Sequence, residues 1–255
     1  AFRYFGRDIE TVACDTFRQV AASVKSGEAD AGVMAIENSI AGSIIANYSI
    51  LQDANLQVAG EVYLPIKQNL MVLPETELED ICEVQSHPMA LLQCVDFLDT
   101  HPDWKLMESD DTALSARIIA EKKLLGTAAI ASQLAAELFG LKIIVPEINT
   151  IKNNYTRFIC IAKNLEIYPG ADRTSLMMVL PHHPGSLYKV LSRFNALGVN
   201  MNKLESRPMP DRNFEFMFYF DLETSVYAPQ FTQLMGELPE LCEEFTYLGS
   251  YSEVV

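Results

Sequence analysis

The chain has 255 residues, 49% of them hydrophobic, and a formal net charge of −15 from 19 Lys and Arg against 34 Asp and Glu. That length suits one large domain or a larger and a smaller one with real cores. So acidic a balance excludes nucleic acid and anionic membrane as partners, because both demand a basic face to displace counterions.

No apolar run approaches the roughly 20 residues needed to span a bilayer, and no basic-then-apolar leader opens the chain. A soluble cytoplasmic protein with no membrane association is therefore expected. The cysteines Cys14, Cys82, Cys94, Cys160 and Cys242 are odd in number and scattered, which suits reduced, structural thiols. His87, His101, His182 and His183 show no two-ligand helical spacing and no neighbouring Cys, so no metal is expected.

Up to about residue 165, short apolar strands alternate with amphipathic helices, the pattern of an α/β domain. Thr16 to Ser26 reads as a helix ended by Gly27, and Ala31 to Ile36 as a strand that finishes at Glu37-Asn38-Ser39. A helix from about Ser43 to Ala54 precedes a strand from Leu56 to Leu64 that stops at Pro65. Glu83-Val84-Gln85 leads into Ser86-His87-Pro88, with Ser86 as N-cap and Pro88 in the first turn of a helix reaching toward Gln93 and Cys94. Lys105 to Met107 is the next strand, and Ser109-Asp110-Asp111-Thr112 caps a helix whose apolar face carries Ala113, Ala116, Ile119 and Ala120. Thr127 to Ala131 is a strand, Ser132 caps the helix from Gln133 to Phe139 before Gly140, and Leu141 to Val145 follows.

Small hydroxyl or amide residues thus recur at strand-to-helix junctions: Asn38-Ser39, Ser86, Thr112 and Ser132. In open α/β sheets such ends hold anions on free backbone N–H groups, although each junction also serves as an ordinary helix cap. The stretch Asn153-Asn154-Tyr155-Thr156-Arg157-Phe158 places a hydroxyl, a guanidinium and a ring at the start of the apolar strand Phe158 to Ala162. It is either the edge of a core or a site.

Leu165 to Asp172 has the Pro, Gly and charge content of a linker, and the periodicity changes beyond it. Strands at Ser175 to Leu180, Val199 to Ser206, Phe214 to Leu222 and Cys242 to Tyr251 alternate with helices at Pro184 to Leu197 and Pro229 to Glu237. The order βαββαβ predicts a ferredoxin-like antiparallel sheet with two helices on one face, a module that pairs with a copy of itself.

Four stretches together resemble prephenate dehydratase: Ile36-Glu37-Asn38-Ser39, Ser86-His87-Pro88, Ala128-Ala129-Ile130-Ala131-Ser132 and Asn154-Tyr155-Thr156-Arg157-Phe158. Pro184-Gly185-Ser186-Leu187-Tyr188 and Glu205-Ser206-Arg207-Pro208 resemble the ACT regulatory domain of that family. The resemblance implies a two-lobed catalytic domain over residues 1–165, similar to a type 2 periplasmic binding protein. One lobe would hold about 1–66 plus 153–165 and the other about 67–152, with an ACT domain over 173–255.

The implied reaction is prephenate to phenylpyruvate, carbon dioxide and water in phenylalanine biosynthesis, without a cofactor. Thr156, Arg157 and Phe158 are then the catalytic set. Arg157 would clamp a substrate carboxylate or brace its loop. Asn38, Ser39, Ser86, Gln93, Thr112, Ser132 and Asn154 are candidate substrate contacts. The resemblance further implies feedback by L-phenylalanine in a homodimer or homotetramer. The effector contacts would be Gly185, Ser186, Leu187, Asn202, Leu204, Glu205, Ser206, Arg207 and Pro208. Arogenate dehydratase and a non-catalytic sensor of aromatic metabolites are the alternatives. The family's opening strand and Gly-x-x-Gly-Ser-like loop find no match. Either upstream residues are missing, which the lack of an initial Met favours, or the cleft is incomplete.

Overall fold

The computed structural model describes residues 1–209 and 215–254. Its contacts divide the chain into two compact units, Ala1–Leu64 with Thr156–Val255, and Pro65–Tyr155. The C-terminal βαββαβ module falls within the first unit.

The first unit begins with α1 (Phe2–Phe5), α2 (Phe17–Ser26), β1 (Ala31–Asn38), β2 (Gly42–Ser43), α3 (Ile45–Ala54) and β3 (Gln57–Pro65). Helix α2 is held by a capping box between Thr16 and Gln19 and closed by Gly27 in the left-handed conformation. The second unit contains β4 (Asn69–Val72), a 3-10 turn at Leu78–Asp80, β5 (Glu83–Ser86), α4 (Pro88–Leu92) and α5 (Val95–Leu98). It continues through β6 (Lys105–Glu108), α6 (Thr112–Lys122), β7 (Thr127–Ala131), α7 (Gln133–Phe139) and β8 (Lys142–Val145). The chain then re-enters the first unit with β9 (Tyr155–Ala162), β10 (Arg173–Val179), α8 (Ser186–Ala196) and β11 (Asn200–Pro208). Strand β12 (Phe216–Glu223), α9 (Pro229–Glu237), a 3-10 turn at Leu238–Leu241, β13 (Glu244–Tyr251) and β14 (Glu253–Val254) complete it. Phe214, expected to start β12, lies outside the described residues.

In the second unit the sheet order is β6-β5-β7-β4-β8, with β5 parallel to both β6 and β7. Alternation on β7 explains its two-sided burial. Ala128 and Ile130 join the cluster under α4 and α5, while Ala129 and Ala131 pack with Ala116, Ile119, Ala135 and Ala136 of α6 and α7.

In the first unit one sheet has the order β14-β3-β9-β1-β2 and a second the ferredoxin-like order β11-β12-β10-β13. The second sheet is buried on both faces. Leu176, Met178, Phe220 and Leu222 pack on α8 and α9 beside Val190, Phe194 and Leu234. Met177, Val179, Met217, Tyr219, Leu248 and Tyr251 share a core with Met34, Ile36, Tyr48, Val58, Ile159 and Ile161. At roughly 25 cal/mol per Å² of apolar surface, this second face binds the module firmly to the first sheet. Gly249 permits the approach: its φ is +149°, and a Cβ there would lie 2.1 Å from the Val58 carbonyl oxygen. No helix among the described residues is long and apolar enough to cross a membrane.

Candidate functional site

In the first unit the candidates gather where β1 and β9 run antiparallel, with Asn38 opposite Thr156 and Glu37 opposite Arg157. A bulge between Ala35 and Glu37 re-aims the end of β1. Its carbonyls are satisfied by α3 and the residue before it, since Asn47 Nδ2 donates to the Ala35 oxygen at 2.6 Å and the Ile44 N–H donates to the Ile36 oxygen at 2.9 Å.

Asn38 Oδ1 accepts from the N–H groups of Ile40 and Ala41 at 3.0 and 2.9 Å. That turn leaves Nδ2 on the other side, where it donates to Thr156 Oγ1 at 3.1 Å. The Thr156 oxygen therefore receives a hydrogen bond, and its own proton is free to go to an acceptor outside the pair. Phe158, two residues on, shares the face of Thr156 and is half-buried. Ser39 is exposed just beyond Asn38.

Arg157 points the opposite way, into the protein. Its Nε and Nη2 reach Glu61 Oε2 at 2.7 and 2.6 Å, and its Nη1 reaches Asp221 Oδ2 at 2.6 Å. Its side chain is 7% exposed and those of both carboxylates are 2% exposed. Its Nε, Nη1 and Nη2 are thus all engaged inside the protein, the arrangement of a charge-assisted, buried ion-pair network. Burial works against its charge, yet Asp221, Tyr251 and Glu61 hold it well above its ordinary range. Burial pushes Glu61 up, against the pull of Arg157. Tyr219 and Tyr251 are likewise raised, mainly by burial.

In the second unit the carboxyl ends of the adjacent parallel strands β6, β5 and β7 bring Thr112, Ser86 and Ser132 to one side of the sheet. One expected cap needs correcting. Ser86 is still in β5, wholly buried, and donates to the Ile130 carbonyl at 2.6 Å. His87 is the cap of α4, its Nδ1 accepting from Met89 N–H at 3.1 Å, because Pro88 forces extended backbone on the residue before it. Asp111 caps α6 through Leu114 N–H, and Thr112 is the first helical residue. Ser132 caps α7 as expected, accepting from Ala135 N–H at 3.3 Å. Gln93 ends α4, and its Oε1 accepts from Gln68 Nε2 at 3.4 Å. Asn154 is 1% exposed, and its carbonyl accepts from Ile66 N–H at 2.8 Å.

On the C-terminal module, Gly185 precedes α8 with φ +89°, and Ser186 bonds to His183. A cavity of about 360 Å³ opens beside them, walled by Leu180, Leu187, Phe216 and Phe218. Sequence reading missed the two phenylalanines. Glu205 and Arg207 turn toward the first sheet's side of the unit: Ser43 Oγ donates to Glu205 at 2.5 Å, and Arg207 bonds to Ser49. Lys203, also missed, donates to Glu37 Oε1 and to Ser43 Oγ, each at 2.6 Å. Asn202, Ser206 and Pro208 are exposed, and Leu204 is 36% exposed, along edge strand β11. Glu61 and Asp221 were missed too, although each is a lone carboxylate inside an apolar strand, the mark of a buried cation elsewhere.

A family model described as prephenate dehydratase matches residues 1–166. A bifunctional chorismate mutase/prephenate dehydratase of Aquifex aeolicus (strain VF5) is 32% identical over 256 residues, covering 100% of this chain and 70% of that protein. Arogenate dehydratase 1 of Petunia hybrida is 36% identical over 260 residues, and this chain spans 95% of its own length there but 61% of the relative. Among solved structures, one described as GqqA, a novel type of quorum quenching acylase, aligns with TM-score 0.89 at 31% identity over 99% of this chain and 93% of that one. Prephenate dehydratase from Arthrobacter aurescens in complex with L-Phe aligns with TM-score 0.85 at 30% identity, covering 94% and 81%.

Proposed function

The chain belongs to the prephenate dehydratase family, and on that premise we propose that it converts prephenate to phenylpyruvate, carbon dioxide and water. The bond to the ring carboxylate breaks, its electron pair enters the ring, and the ring hydroxyl leaves with a proton to become water. Aromatisation drives the step, so the protein's task is to bind the carboxylates and to help hydroxide depart.

The observation that carries this reading is the Asn38–Thr156 pair. Asn38 Nδ2 donates to Thr156 Oγ1 at 3.1 Å, which leaves the Thr156 proton to be donated to the leaving oxygen as charge develops there. An alkyl alcohol is a weak acid, so the contribution is a strengthened hydrogen bond, with the proton itself relayed through water. Phe158, on the same face, supplies an apolar wall for the ring. Thr112, Ser132, Gln93 and Ser39 are the proposed substrate contacts, while Ser86 and Asn154, both buried, act by supporting the backbone around them. The grouping of Thr112 and Ser132 beyond parallel strand ends supports an anion-binding role.

The experiment is a phenylpyruvate absorbance assay on Thr156→Ala and Thr156→Ser. Loss of a hydrogen-bond donor aimed at developing charge costs roughly 10²–10³-fold in kcat. The serine variant should keep most of the turnover, and equal losses would refute a hydroxyl-specific role. Arogenate is assayed beside prephenate because one relative is named arogenate dehydratase. Amide hydrolysis is assayed as well, because one structural neighbour is described as an acylase.

Feedback by L-phenylalanine is part of the proposal. The cavity beside Gly185, Ser186 and Leu187 suits an aromatic side chain, with the backbone N–H groups at the start of α8 facing its carboxylate. A relative solved with L-Phe supports that ligand. Exposed Asn202, Leu204, Ser206 and Pro208 on edge strand β11 suit a second copy, giving a dimer or tetramer measurable by light scattering. The free thiols Cys14, Cys82, Cys94, Cys160 and Cys242 accord with a cytoplasmic setting.

A further inference from the structure

The geometry points to Asp221, on the C-terminal module, as a positioning residue for the reaction: through Arg157 it holds the register of β9 and so the face on which Thr156 is presented. This rests on the reaction proposed above, and it makes the module part of the catalytic unit as well as the seat of regulation.

Side chains alternate along a strand, so Thr156 and Arg157 must face opposite ways, and a slip of one residue would exchange them. Apolar patterning cannot prevent that slip. Phe158, Ile159, Cys160, Ile161 and Ala162 are all apolar, and either set of alternate residues would suit either face. The partner strand does not prevent it either, since β1 already bulges between Ala35 and Glu37, opposite Arg157. What distinguishes the two registers is where the guanidinium ends. In the observed register its Nε and Nη2 meet Glu61 of β3, and its Nη1 meets Asp221 of β12 at 2.6 Å.

Glu61 sits on β3, beside β9 in the same sheet, and could follow a shifted Arg157. Asp221 is placed from outside that sheet and is itself clamped. Ser175 Oγ donates to Asp221 Oδ1 at 2.5 Å, Tyr251 Oη lies 2.6 Å from the same Ser175 oxygen, and Tyr219 Oη donates to it at 3.1 Å. Tyr251 Oη also accepts from Arg157 Nη2 at 3.3 Å. Two further bulges converge at this level. Strand β11 bulges between Met201 and Lys203 opposite Asp221, and the pairing of β13 with β10 shifts between Ser175 and Leu176. Bulges concentrate where a side chain must be aimed.

The test uses the full chain with Asp221→Asn, which keeps size and hydrogen bonding but not charge, and Asp221→Ala. Turnover is measured with hydrogen exchange of the peptide spanning 155–162. Both variants should lose kcat, by about 10-fold or more for alanine and less for asparagine, with KM within about two-fold, because ground-state contacts remain while the aim of Thr156 is relaxed. Exchange should rise in 155–162 while β10 and β12 stay protected. If alanine fails to fold, asparagine alone decides the outcome. Unchanged kcat in the folded variants, or unchanged exchange across 155–162, overturns the inference. A wild-type protein that leaves prephenate intact refutes the reaction instead, and the exchange result then still decides whether Asp221 holds the strand.

Discussion

Replacing Arg157 with methionine keeps the aliphatic bulk of the side chain and removes the cation that two buried carboxylates share. Glu61 and Asp221, each 2% exposed, would be left facing one another's charge with Arg173 Nε 3.7 Å from Glu61 Oε1 as partial relief. Breaking a buried pair in this way costs about 3–5 kcal/mol, most of it the desolvation of the abandoned charge. For a chain of this size roughly 1 kcal/mol moves Tm by about 2–4 °C, so thermal denaturation at neutral pH should show a fall of roughly 6–20 °C. The pH dependence distinguishes this cause from lost packing. Burial already raises Glu61 above the usual carboxylate range. The native state therefore binds that proton more tightly than the unfolded chain does, and stability declines as pH rises from the ordinary carboxylate range through the raised value. Without Arg157 the decline should steepen, so the gap between variant and wild type narrows as pH falls. A Tm within about 2 °C of wild type at neutral pH, or a gap that does not change with pH, would refute the view of Arg157 as a charge-bearing brace.

Gly249→Ala should destabilise by more than about 2 kcal/mol, since a Cβ would lie 2.1 Å from the Val58 oxygen on a backbone at φ +149°; urea denaturation reads this directly. Thiol labelling of the folded protein should modify exposed Cys82 quickly. It should leave Cys94 and Cys160 untouched at neutral pH, because burial raises each to about 12, and denaturant should release both. Lys203→Met frees Glu37, which adjoins Asn38, from its 2.6 Å contact. Inhibition by L-phenylalanine should then weaken by about 5-fold or more in an inhibitor titration, the lower end of a typical coupling energy. Ser132→Ala should cost about 1 kcal/mol through loss of the α7 cap, seen as a small shift in the urea midpoint.

Much of this protein is legible in local pattern. The alternation of apolar strands with capped helices and the βαββαβ order beyond residue 173 follow from periodicity and breakers acting over a few residues. The apolar run from Phe158 to Ala162 is legible too, although its strand starts earlier, at Tyr155. The alternation rule also requires Thr156 and Arg157 to face opposite ways once a strand is granted. Strand β4 escaped because Asn69–Val72 offers only four residues with no alternation, all four buried. It lies inside its sheet only because β7 and β8 pair with it from both sides. The cap of α4 shifted by one residue to His87, and of the four residues expected to cap α6 it is Asp111 that does so, choices made by backbone geometry that residue type alone leaves open.

What no stretch of sequence could decide is the partner of a charge. Arg157 meets Glu61, 96 residues earlier, and Asp221, 64 residues later. Lys203 meets Glu37 across 166 residues. Those encounters exist only because two sheets pack face to face, and the cost of leaving a charge bare inside that packing then dictates which side chain turns inward and which is left to act.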